Sequence, residues 1–186
     1  SKVIIMQNFF FIRSLLVSVI CALLITACGG GGEPSSTGSC SGASCIGFSE
    51  ATVGLVPFEG LAAEVVNDPL DASNKVAKLT KVPASQLWAG VTLHLGNADS
   101  TVSRIDTAQV ITLRVYSPAA GDTIMVKIEN GSNNQIAQEA TALTTKANAW
   151  ETLTFSYPNA DANSVYNKVS VFPAFMASVD KVFYIC

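Results

Sequence analysis

The chain has one histidine, His94, so it offers no cluster of imidazoles and cysteines of the kind that holds zinc. Charge is scarce as well, with Asp, Glu, Lys and Arg making up 13% of residues. The 11 basic residues include Lys2 and Arg13; without those two, 9 face 14 acidic residues, a net charge of −5. No cationic stripe interleaved with aromatics appears, which argues against a nucleic-acid partner. The G-x-S-x-G elbow of serine hydrolases is absent. Long apolar runs are missing too. Residues 14–25 are free of charge, but a bilayer core of ~30 Å needs about 20 apolar residues. The mean hydropathy of +0.38 owes part of its value to this one segment and does not imply a membrane-embedded domain.

That segment has the proportions of a secretory signal: a start at Met6, one cation at Arg13, then the apolar run. It ends in Ile25-Thr26-Ala27-Cys28, which resembles the bacterial lipobox. The resemblance implies export, acylation of Cys28 and cleavage before it. Residues 1–27 then form the signal peptide, with 1–5 read as upstream of the start. Each buried CH₂ contributes ~0.8 kcal/mol, so two or more acyl chains give a stable membrane anchor where one is marginal. Gly29, rather than aspartate, follows the cysteine, and the usual sorting rule then implies the outer membrane. Residues 28–46 read GlyGlyGlyGly and then serine-rich sequence, a flexible tether. Cys40 and Cys45 lie inside it, in a compartment that permits a disulfide between them, though so small a loop stabilises little. Gly38-Ser39-Cys40-Ser41-Gly42 imitates a nucleophile elbow but has neither strand before nor helix after it.

From residue 47 to 186 the pattern is β. Ile111, Leu113 and Val115 alternate with Thr112, Arg114 and Tyr116; Ile124, Val126 and Ile128 alternate with Met125, Lys127 and Glu129. Period two marks strands with one buried face. Residues 117–121, Ser-Pro-Ala-Ala-Gly, turn the chain between these two, and Asn130-Gly131 turns it again into residues 135–141. Further strands are predicted at 62–67, 75–80, 90–95, 149–157, 166–172 and 181–185, although propensity alone also allows a helical turn at 61–67. About nine short strands without a long amphipathic helix predict an all-β, two-sheet antiparallel sandwich. The cysteine–tryptophan–cysteine pattern of immunoglobulin domains is absent, and the strands are too short for an outer-membrane barrel.

Several segments then occur in a telling order: ValProPheGluGly (56–60), ValValAsnAspPro (65–69), AsnLysValAlaLysLeuThrLys (74–81), LeuTrpAlaGlyValThrLeu (87–93), LeuArgValTyrSerProAlaAlaGly (113–121), ValLysIleGluAsn (126–130) and AlaAsnAlaTrpGluThrLeuThrPhe (147–155). Together they resemble the carbohydrate-binding-module-like jelly-roll domains of bacterial surface lipoproteins and polysaccharide-degrading enzymes of the laminarinase-associated kind. The resemblance covers residues 48–186 and implies a jelly roll whose partner is a β-glucan-like polysaccharide. It also implies a structural calcium held by an acid of the first strand, matched by Glu59, and an acid near the last strand. Cys186 stands where that second acid is expected, so the ligand set is incomplete. The family's closing Phe-Tyr-Phe-Asp-Asp stops here at Phe183-Tyr184-Ile185-Cys186, which reads as a chain cut short of a further module.

Catalysis finds little support. His94 is alone, on a polar-face position of a predicted strand. Glycoside hydrolysis needs two carboxylates ~5–9.5 Å apart across a cleft. Asp68 and Asp71 flank a proline loop, Glu129, Glu139 and Glu151 fall on separate strands, and no E-x-D-x-x-E cluster is present. Asn159 to Asn163 mimics the start of an EF-hand loop, but Ser164 and Ser170 replace its glycine and glutamate. The expected function is therefore a non-catalytic, lipid-anchored carbohydrate-binding domain. The alternatives are a structural or adhesive domain without sugar affinity, or a fragment of a secreted glycoside hydrolase. Alternation places Arg114, Tyr116, Lys127 and Glu129 on one non-core face of neighbouring strands, as a polar sugar site. Trp88, at the start of a strand, supplies the stacking platform, with Trp150 as the alternative.

Overall fold

The computed structural model describes residues 47–48, 53–95 and 110–186, except for the side chains of His94 and Leu95. The expected roles of Cys28, Cys40 and Cys45 lie outside these residues. Ten strands follow in order: β1 (Val53–Phe58), β2 (Ala62–Asn67), β3 (Lys75–Lys81), β4 (Gly90–Leu95), β5 (Val110–Ser117), β6 (Thr123–Asn130), β7 (Asn133–Leu143), β8 (Ala149–Ser156), β9 (Lys168–Phe172) and β10 (Lys181–Ile185). They build two five-stranded sheets, β1-β4-β9-β6-β7 and β2-β3-β10-β5-β8, and every pairing between the described strands is antiparallel. This is the all-β, two-sheet sandwich that the alternation predicts, of the jelly-roll type that the resemblance implies.

Strand β1 escapes the pattern search because Gly54 and Pro57 interrupt it. A proline is tolerated there because β1 lies at a sheet edge and pairs only with β4. At 61–67 the helical alternative is not taken: β2 pairs with β3 from Ala62↔Thr80 to Asn67↔Lys75.

The inward faces fuse into one core. Leu113 and Val115 of β5, Ile124, Val126 and Ile128 of β6, Leu153 and Phe155 of β8, Val169 and Val171 of β9, and Phe183 and Ile185 of β10 meet between the sheets. Each large side chain buried this way contributes roughly 1.5–3 kcal/mol. Phe48, ahead of the first strand, is also buried in this core. Buried Tyr157 donates its hydroxyl to the Val126 carbonyl at 3.1 Å, satisfying the one polar atom it brings inside, and burial pushes its pKa up.

One expectation needs correction. β5 and β6 follow each other in sequence but belong to different sheets, so residues 117–121 form a crossover and not a hairpin turn. Gly121 takes φ +86° there and its N–H donates to the Thr144 carbonyl at 2.7 Å, while the Ser117 hydroxyl reaches Asp122 at 2.9 Å. Arg114 and Tyr116 therefore do not share a face with Lys127 and Glu129; the two pairs lie on opposite outer faces of the sandwich.

Candidate functional site

On the outer face of the β2-β3-β10-β5-β8 sheet, the register aligns Glu64, Lys78, Tyr184, Tyr116 and Trp150 in one row across all five strands. Tyr116 meets Trp150 edge-on at 5.8 Å and Tyr184 edge-on at 5.6 Å. The Arg114 guanidinium lies 5.0 Å from the Trp150 ring centre. Asp68, at the end of β2, accepts the Trp150 indole N–H at 3.1 Å, the Leu70 N–H at 2.8 Å and the Asn74 amide at 3.2 Å. The β2–β3 turn is thereby fastened over the tryptophan, which is only 8% exposed. Burial depresses the Arg114 pKa, and the Asp68 carboxylate works against that shift. This cluster is closed upon itself, and the Trp150 ring offers no open surface for stacking.

The opposite outer face, on the β1-β4-β9-β6-β7 sheet, is built differently. Its middle columns carry small or polar side chains: Gly90 and Thr92 of β4, and Ser170 of β9. Thr92 and Ser170 hydrogen-bond to each other at 2.9 Å. Gly90 is required by close approach, because a Cβ there would meet Phe58 and the Val171 carbonyl at 2.8 Å. Phe58, Phe172 and Phe175 form an edge-to-face ladder beside it. Further along, buried Glu129 is gripped by Lys127 at 2.9 Å and Lys168 at 2.5 Å. Burial alone would raise the Glu129 pKa, but the ammoniums of Lys168 and Lys127 overcome it and hold the carboxyl below its ordinary range.

At the end of the β4 column stands Trp88, in the β3–β4 turn and 47% exposed. The turn is rigidly held. Lys81 occupies the inward face of β3 after Ala77 and Leu79, where the alternation calls for an apolar residue, and it is fully buried. Its ammonium donates to the carbonyls of Leu87 at 2.8 Å, Ala174 at 2.9 Å and Pro173 at 3.2 Å, clamping the turns before β4 and after β9 together. Desolvation lowers the Lys81 pKa. The Met176 N–H also donates to the Leu87 carbonyl at 2.9 Å, and the Gln86 N–H to the Glu59 carbonyl at 2.9 Å. Trp88 is thus an open indole between a pinned Leu87 backbone and buried Ala89. A platform fixed before it meets a ligand loses little entropy on binding.

No protein-family model and no curated protein matches the sequence. Solved structures that resemble the chain include a family 29 carbohydrate-binding module from Piromyces equi, at 12% identity and TM-score 0.46, covering 73% of this chain and 77% of that one. A family 22 xylan-binding domain from Paenibacillus barcinonensis matches at 12% identity and TM-score 0.44, covering 71% and 81%. An arabinose-bound arabinofuranosidase matches at 16% identity and TM-score 0.49, over 71% of this chain but 22% of the enzyme. Likenesses this distant assign no ligand and no activity.

The expected site residues therefore separate into two groups. Arg114, Tyr116 and Trp150 come together on one face; Lys127 and Glu129 come together on the other, with Trp88 at the end of its β4 column. Trp88 lies in a turn and not in a strand. His94 pairs with Gly54 in the β1–β4 register. Glu59 sits in the β1–β2 turn at φ 59°, and among the described residues no group of three or more acids, cysteines or histidines gathers to bind a metal. The Leu87, Pro173 and Ala174 carbonyls, oxygens of the type calcium takes, are occupied by Lys81.

The acids considered for catalysis are largely engaged elsewhere. Asp68 anchors Trp150, and Glu151 caps the Thr145 and Lys146 backbone. Asp161 closes a local turn with Asn163 and Ser164, the plain reading of the EF-hand-like stretch. Sequence reasoning missed Tyr184, Thr92, Ser170, Lys168 and Lys81. Alternation with Phe183 and Ile185 already marks Tyr184 as outward-facing, and alternation with valine and leucine does the same for Thr92 and Ser170. A lysine in the inward phase of β3 is the signal for Lys81.

Proposed function

We propose that the domain is a non-catalytic carbohydrate-binding module, with Trp88 as its stacking platform. The observation that carries this reading is Trp88 itself: of two tryptophans, it is the exposed one, and it sits on a turn clamped by a buried ammonium. Pyranose rings present apolar C–H faces against which an exposed indole can stack, and a turn fixed in advance keeps the entropic cost of binding small. A non-catalytic role is supported by the engagement of Asp68, Glu129 and Glu151 with their neighbours. The ligand class that the sequence resemblance suggests is a β-glucan-like polysaccharide. The lipobox-like Ile25-Thr26-Ala27-Cys28 supports a lipid anchor at the bacterial outer membrane.

Affinity electrophoresis through gels containing soluble β-glucans, mannans or xylans tests the binding. The wild-type protein is retarded in at least one gel, and Trp88→Ala binds at least tenfold more weakly, equivalent to ~1.4 kcal/mol. If no polysaccharide retards the wild type, the domain is structural or adhesive instead. For the anchor, the chain is expressed in a bacterium with its own leader. Wild type enters the detergent phase and Cys28→Ser does not mature; equal processing and aqueous partitioning of both would remove the lipid reading.

A further inference from the structure

Cys186 is disulfide-bonded, and it is the only cysteine among the described residues. We infer that its partner is one of the two tether cysteines, Cys40 or Cys45, so that the bridge staples the tether to the last strand of the sandwich. The sequence contains four other cysteines: 21, 28, 40 and 45. On the proposed export, Cys21 lies in the apolar leader run that is removed. Cys28 would have its sulfur committed to lipid; in setting aside Cys21 and Cys28 the inference rests on the export and anchoring proposal. The two tether cysteines remain, and Phe48, three residues beyond Cys45, is buried in the core. At no more than ~3.6 Å per residue, three residues span about 11 Å, so the buried phenylalanine keeps Cys45 close to the domain.

The register says where the staple sits. Cys186 exchanges both backbone hydrogen bonds with Arg114, each 3.0 Å. Phe183 and Ile185 point into the core, so Tyr184 and Cys186 project from the outer face of the β2-β3-β10-β5-β8 sheet. Val76 is in the same row on β3 and is fully buried although it lies on that outer face. Cys186 therefore lies on the Trp150 face, opposite the column of Gly90, Thr92 and Ser170. A bridge from residue 40 or 45 to 186 also closes a loop of about 140 residues, where the chain-entropy gain is large, in contrast to the tiny loop of a Cys40–Cys45 bridge.

Tryptic mapping of the exported full chain reads the pairing directly. Cleavage after Lys181 frees the peptide of residues 182–186, and the tether cysteines reside on the fragment that ends at Lys75. Without reductant the two are expected as one linked species that reduction separates. Whichever of Cys40→Ser and Cys45→Ser exposes a free thiol at Cys186 names the partner. Reduction should also lower the Tm by about 10 °C or more. The inference is overturned if Cys186 is found as a free thiol, or joined to a second copy, while Cys40 and Cys45 are joined to each other. If Cys186 is joined to Cys28, both the staple and the lipid anchor fall; if it is free while Cys28 is acylated, only the staple does.

Discussion

The two outer faces of the sandwich use tryptophan in opposite ways. Trp150 is sealed: its N–H is taken by Asp68, its ring is edged by Tyr116 and overlaid by Arg114, and a turn closes above it. Trp88 is presented: the polar work in its neighbourhood is done by the backbone beneath it, and the indole itself is left to solvent. A satisfied aromatic contributes to stability, whereas an exposed one on a rigid support has no folding reason to be there. The contrast teaches that residue type and strand position do not distinguish a platform from a plug. What distinguishes them is whether the polar edge of the ring has found a partner within the chain.

The largest effect expected from breaking this contrast is on stability at the sealed face. Trp150→Ala should cost about 3–5 kcal/mol in denaturant unfolding, as large buried aromatics do, with the affinity of the folded fraction for polysaccharide unchanged. Loss of sugar binding in a folded Trp150→Ala protein would move the site to that face. Next comes the clamp under Trp88. In Lys81→Met the carbonyls of Leu87 and Ala174 keep the N–H groups of Met176 and Ala177, but Pro173 loses its ammonium donor. A cost of about 2–3 kcal/mol follows, together with freer rotation of Trp88 in time-resolved anisotropy. Unchanged anisotropy would show that the turn is held without the lysine.

The smallest effect concerns Glu129. Its pKa is held down in the folded state, so the carboxylate contributes stability above the ordinary carboxyl range and loses it as pH falls through the folded pKa. Glu129→Gln should therefore melt below wild type at neutral pH, the gap closing as the pH drops below ~4. A gap that stays constant across this range would show that packing, and not charge, makes the difference.

Much of the fold is legible from alternation alone, and the faces of single strands are legible too: Leu113 is buried and Thr112 exposed, as their phase requires. Which strands become neighbours is not legible. Residues 117–121 are short enough for a hairpin and equally suit a crossing between sheets, and nothing local in Ser117-Pro118-Ala119-Ala120-Gly121 separates the two. That one ambiguity is why Arg114 and Tyr116 were expected beside Lys127 and Glu129. Lys81 illustrates a second limit. Its burial depends on three accepting carbonyls, one six residues on and two more than ninety residues away, which no local pattern encodes. Strand β1 is a third case, since an edge position forgives the glycine and proline that hide it.

The central claim, that Trp88 is the surface a sugar meets, has a direct optical test. The chain has two tryptophans, so Trp150→Phe leaves Trp88 as the sole indole emitter. That protein is titrated with the polysaccharide that retards the wild type in affinity gels, while emission maximum and acrylamide quenching are followed. A blue shift and a loss of quenching that saturate together with binding are expected. Binding that saturates while Trp88 emission and quenching stay those of the free protein would contradict it.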